Sequence, residues 1–123
     1  MASRKNITVT LWVLQILAAA AFLAAGGAKL AGAPQMVAVF DKIGVGQWFR
    51  YVTGTLEVAG GITLLVPCYA FYGAVLLTLV MAGAIVSNLT VLGGSPAPAL
   101  VLLLITGTIV YLRRNTLKGE TNE

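Results

Sequence analysis

Four residues of this chain bring polar chemistry into an apolar setting: Lys29, Arg50, Glu57 and Asn88. Glu57 stands in the middle of the apolar run from Val52 to Val66. On insertion scales, an ionisable group at such a depth in a membrane costs about 2.5–3.5 kcal/mol, so it belongs on a surface facing protein or water and marks a candidate functional site. Arg50 precedes Glu57 by seven residues, which puts it on the same helix face about 10 Å away. Two chemistries are open to such a group. Glu57 and a cation can form a buried pair that sets helix register, or the carboxylate can take up a proton or hold a polar headgroup such as a quinone's.

The residues around these four are small. At helical intervals Lys29 follows Gly26, Ala25, Phe22, Ala18 and, farther down, Gln15, while Glu57 is flanked by Thr53, Gly54, Gly60 and Gly61. Small side chains let two helices approach closely, so Glu57 is expected to point into a tight helix contact. Asn88 shares a stripe with Ala84 and lies close to Ser87 and Gly83. The pattern predicts one polar cluster: a carboxylate opposed by Lys29 or Arg50 and bonded by Asn88, beneath the first loop. The opposite half of the bundle is expected to hold no ionisable group within the spans.

Composition dictates the elements that must position this cluster. The chain has 123 residues, of which 59% are hydrophobic and 10% charged, with a mean hydropathy of +0.92. No soluble domain of this size could bury that much apolar surface. The reading is a single integral membrane domain, 1–123, with spans at about 7–28, 51–66, 72–92 and 96–112. The fold class expected is an all-α membrane protein, a four-transmembrane-helix up-and-down bundle, because the short connection from span two to span three makes those helices antiparallel neighbours. A basic start followed by alanines also describes a secretory signal, but further spans follow, so span one is read as retained.

Between spans one and two, Gly32-Ala33-Pro34 breaks the chain. Pro34 can open a short helix ending near Gly44, with Met36, Val37, Phe40 and Ile43 on one face and Asp41 and Lys42 off it. The first loop is accordingly expected to carry a short interfacial helix, the alternative being an ordinary re-entry loop with a helical turn. Trp48, Phe49 and Tyr51, with Arg50 among them, have the composition of a headgroup-level anchor. Ser95 and Pro96 are placed to start span four as N-cap and first helical residue.

Basic residues flank the spans unevenly. Arg4, Lys5, Arg113, Arg114 and Lys118 oppose Lys29, Lys42 and Arg50, so both termini are expected on the cytoplasmic side of a bacterial inner membrane. With no His and only Cys68, the chain cannot by itself supply a bis-His haem site, a zinc site, an iron–sulfur cluster or a dithiol pair. No metal, catalytic residue or nucleic-acid partner is expected, and no cofactor is held by this chain alone.

Several segments together resemble the DoxX-like family of small four-span membrane proteins. They are Gly26-Gly27-Ala28-Lys29-Leu30, Gly54-Thr55-Leu56-Glu57, Leu65-Val66-Pro67 and Met81-Ala82-Gly83-Ala84, and the likeness covers nearly the whole chain. The family is named for a small membrane subunit of a thiosulfate:quinone oxidoreductase. Some actinobacterial relatives are linked to membrane redox complexes that handle thiol and superoxide stress, and distant animal relatives assist receptor assembly. A helper role is what the resemblance implies. Many members carry a His near the position of Asn88, and its absence here takes His-dependent chemistry out of that implication.

The leading expectation is therefore a membrane accessory or anchor subunit, associated with a quinone-linked oxidoreductase, whose partners are the bilayer, a redox subunit and, as an open case, a second copy of the chain. The alternative is a small proton-coupled transporter using Glu57, which a carboxylate without a cationic partner would favour. An enzyme with an intramembrane site ranks third, since only Glu57, Lys29 and Arg50 offer acid–base chemistry.

Overall fold

A computed structural model describes residues 4–117, so Lys118 of the expected basic flank lies outside the described residues. All regular structure among them is helical: α1 (Arg4–Ala31), α2 (Pro34–Ile43), α3 (Trp48–Leu64), α4 (Ala70–Ser87) and α5 (Ala97–Leu117). A π-helical turn, Asn88–Leu92, continues α4. Three stretches are long and apolar enough to cross a membrane: Lys5–Ala31, Ala70–Val91 and Ala97–Arg114. The expected second span falls on α3, which has only 17 residues and contains both Arg50 and Glu57.

The four longer helices pack in a ring in the order α1, α3, α4, α5, with α5 returning to α1. Glycine sets how closely they approach. A Cβ on Gly26 would stand 2.8 Å from the Gly54 carbonyl oxygen, so α1 and α3 touch backbone to backbone. Farther along, Gly61 faces Leu23 and Ala19, and the Gln15 amide reaches the Leu64 carbonyl, which makes the pair antiparallel. On the other side of α3, Gly60 receives Leu77 and Gly73 meets Thr63. Between α4 and α5, the hydroxyls of Thr78 and Thr106 lie 2.9 Å apart. Phe22, Leu64, Leu77 and Ile109 fill the core. The outer faces remain apolar, with Val13, Ile16 and Leu17 on α1 and Val101 and Leu104 on α5 all exposed, as lipid-facing surfaces require.

The ends of the helices follow from local chemistry. Gly32, at φ 75°, ends α1 in a Schellman arrangement, with the Ala33 N–H on the Ala28 carbonyl and the Gly32 N–H on the Lys29 carbonyl. Pro34 then opens α2. Ser95 Oγ accepts the Ala97 N–H at 3.2 Å at the start of α5. The apolar face of α2 is turned onto the bundle: Phe40 is buried and packs edge-on against Phe49 at 5.8 Å, while Asp41 and Lys42 are exposed.

Candidate functional site

The contact between α1 and α3 determines how Lys29 and Glu57 meet. A helical side chain leans toward its own N-terminus. In this antiparallel pair Lys29 therefore leans back toward Gly26 and Glu57 back toward Gly54, and the two meet beside the glycine contact. Lys29 Nζ donates to Glu57 Oε1 at 2.8 Å, with the carboxylate side chain only 2% exposed and the lysine 14%.

Arg50 does something else. It is buried, and its Nη1 donates to the Lys29 main-chain carbonyl, an acceptor at the C-terminal end of α1, where the helix dipole favours a cation. Its Nε donates to Gln47 Oε1 at 2.8 Å, and the guanidinium lies 4.3 Å over the Tyr51 ring. Gln47 in turn donates to the Val37 carbonyl and to Asp41 Oδ1, both at 3.1 Å. A polar chain thus runs from α2 through Gln47 and Arg50 to the end of α1. Trp48 and Tyr51 are exposed, whereas Arg50 between them is drawn inward by these acceptors.

Asn88 opens the π-helical turn, and its Nδ2 donates to the Ala84 carbonyl at 3.0 Å, within its own helix. The pairing expected from spacing divides accordingly. Lys29 and Glu57 bind one another, Arg50 binds the end of α1, and Asn88 stands across a cavity from the pair. That cavity, of about 640 Å³, lies in the Lys29 half of the bundle and is walled by all five helices. Its polar lining comes from Lys29, Thr53, Glu57, Ser87, Asn88 and Ser95, and the rest is apolar. Such a volume with a few convergent polar groups is typical of a small-molecule site.

Several residues that line the cavity are exposed, among them Ser95 and Pro98 at the start of α5. The α3–α4 contact is carried by Gly60, Thr63, Gly73 and Leu77, toward the far end. In the Lys29 half, Val52 and Leu56 on α3 and Leu79 and Gly83 on α4 line the cavity and are also exposed on the outer, apolar surface. A Cβ on Gly83 would meet nothing within 4 Å. α2 covers the cavity from above with Met36, Phe40 and Ile43.

A second polar group lies at the other end. Gln15 is fully buried; its Nε2 donates to the Leu64 carbonyl at 2.6 Å, and its Oε1 accepts from Arg113 Nε at 2.8 Å. Arg113 directly follows the span expected at about 96–112 and reads from sequence as a flanking cation, with no ionisable group inside the spans at this end. Arg113 instead turns inward, because a buried amide offers it an acceptor. Gln15 was legible as a polar side chain inside an apolar span, and Gln47 carried no such signal. Among the described residues no three His, Cys, Asp or Glu come together as metal ligands.

A family model described as the DoxX-like family matches residues 13–111. The matched segment spans α1 from its third turn to the last turns of α5, and so includes the cavity and its polar lining. No curated protein and no solved structure matches the chain.

Proposed function

The chain belongs to the DoxX-like family, and from that premise we propose that it is a membrane accessory or anchor subunit that holds an amphipathic ligand of the quinone class for a partner oxidoreductase. The observation that carries this reading is the cavity: apolar walls, lining residues exposed on the outer faces of α3 and α4, and the Lys29–Glu57 pair in its lining. A ligand dissolved in the bilayer would enter sideways without crossing water. Its apolar part would lie against Phe40, Leu56 and Met81, and its polar head would meet Lys29 as a donor, Glu57 as an acceptor and Asn88 opposite.

In this reading α3 is the fourth span. Its 17 residues extend about 25 Å, somewhat less than a hydrocarbon core of about 30 Å, and its two ionic side chains are buried against α1. α2 lies in the interface as the cover of the cavity, with Asp41 and Lys42 toward water. The N-terminal end of α1 and the C-terminal end of α5 share one end of the bundle, and we read that end, which carries Lys5, Arg113 and Arg114, as the cytoplasmic side of a bacterial inner membrane. Proton-coupled transport by Glu57 is the weaker reading, because Lys29 already engages the carboxylate at 2.8 Å.

The test is gentle extraction of tagged wild type and of Gly83→Leu, followed by mass spectrometry of co-purifying proteins and isoprenoid lipids. The reading expects a redox subunit and a quinone with the wild type, and loss of the quinone when the introduced isobutyl group fills the space beside residue 83. Wild type that purifies without either, or a quinone retained equally by both, would contradict it.

A further inference from the structure

Arg113 is a buried cation whose counter-ion is not among the described residues. It is 7% exposed, and its one hydrogen bond there is from Nε to Gln15. Its guanidinium carbon lies 5.6 Å from the centroid of the Trp12 ring. The two described carboxylates are at the opposite end of the bundle, Asp41 bound to Gln47 and Glu57 to Lys29. Burying most of a guanidinium without an anion is unfavourable, and a neutral amide offsets only part of that.

The arrangement that holds Arg113 also aims it. Gln15 is locked by its donation to the carbonyl of Leu64, the last residue of α3, so only its oxygen can face Arg113. With Nε turned inward, the two terminal nitrogens form the outer edge of the guanidinium. They make no hydrogen bond within the described residues, and among those residues no fully buried side-chain nitrogen lacks a partner, so these nitrogens are not sealed in the core. This edge has the geometry that binds two oxygens of a phosphate side by side. Through Gln15, Arg113 is tied to Leu64, next to the turn 65–69 that joins α3 to α4. Arg114 is engaged on its own helix, its Nη1 on the Tyr111 carbonyl at 2.6 Å and its guanidinium 3.8 Å over the Tyr111 ring, and Lys5 is exposed at the same end of the bundle.

We propose that Arg113, positioned by Gln15, forms a binding site for a phosphate-bearing anion at the end of the bundle opposite the cavity, and that the headgroup of an anionic phospholipid fills it. The site is separate from the Lys29–Glu57 cavity and stands whether or not that cavity takes a quinone. The same phosphate chemistry could come from soluble phosphate, which the test separates.

Detergent-solubilised wild type is mixed with phosphatidylglycerol, phosphatidylcholine or inorganic phosphate, and bound species are counted by native mass spectrometry. The wild type should favour phosphatidylglycerol over phosphatidylcholine, and Arg113→Gln should reduce that preference about fivefold, with Arg114→Gln reducing it less. A readout independent of variants guards against misfolding: modification of Arg113 in wild type by phenylglyoxal, followed at the peptide level, should slow with phosphatidylglycerol and not with phosphatidylcholine. Protection by inorganic phosphate alone would keep the anion site and overturn its assignment to a lipid. Equal binding of both lipids with no protection by either anion, or an unchanged preference in a folded Arg113→Gln, would overturn the proposal.

Discussion

Gly26 and Gly54 stand backbone to backbone, each within about 3 Å of where the other's helix would need to yield to a methyl group. A Cβ on Gly26 would lie 2.8 Å from the Gly54 carbonyl oxygen, and one on Gly54 would lie 3.1 Å from the Gly26 carbonyl oxygen. Three residues beyond each glycine sit Lys29 and Glu57. The contact that brings the helices together is therefore the one that joins the ion pair.

Gly26→Ala and Gly54→Ala should each lower stability by about 1–3 kcal/mol, because the added methyl meets backbone that cannot rotate away. Gly27→Ala is the control: its Cβ meets nothing within 4 Å, and it should be neutral or gain up to about 1 kcal/mol in helix propensity. Thermal unfolding in one detergent compares the three. Equal effects at Gly26 and Gly27 would mean the seam is not close-packed.

Lys29→Met should destabilise by about 3–5 kcal/mol, since it leaves the Glu57 carboxyl without its partner in a site 2% exposed. Lys29→Met with Glu57→Leu should recover much of that loss. A double-mutant cycle on the same unfolding signal measures the coupling, and strictly additive effects would show that the two residues do not act as a pair.

How far the site could be read from sequence depends on what each residue's surroundings advertise. Glu57 and its glycine neighbours were legible, since a carboxylate amid small residues in an apolar run has few places to go. The family resemblance rested on the same segments, and residues 13–111 match that family. Arg50 misleads, because aromatic neighbours suggest a headgroup anchor while its acceptors, the Lys29 carbonyl and Gln47, come from α1 and the loop before α3. Arg113 was hidden for the same reason: Gln15 is 98 residues away in the chain. Helix periodicity reports which face of a helix is polar, and only tertiary packing decides which two polar faces meet.

Gln15→Leu tests that long-range bond. It removes the acceptor of Arg113 Nε and the donor to the Leu64 carbonyl, and should cost about 1–3 kcal/mol for each group left without a partner. Gln15→Leu with Arg113→Leu should lose less than the sum of the two single changes. A sum or more would indicate that the two side chains stabilise the bundle independently.

Phe40→Ala probes the cover of the cavity. Losing a buried ring that packs on Phe49 should weaken the seating of α2 by about 3–5 kcal/mol. Hydrogen exchange should then rise across residues 34–43 and leave α1 and α3 protected. Exchange that rises uniformly would mean α2 and the bundle unfold as one unit.

The central claim is that a bilayer-dissolved ligand enters between α3 and α4 and reaches the Lys29–Glu57 pair. Photoaffinity labelling in membranes with a diazirine-bearing benzoquinone analogue tests it directly, with labelled peptides mapped by mass spectrometry. The account predicts labels concentrated on Val52, Leu56 and the stretch 79–88, displaced by excess unlabelled quinone and lost in Gly83→Leu. Labels spread over the lipid-facing residues Val101 and Leu104 of α5, unaffected by competitor or by Gly83→Leu, would contradict it.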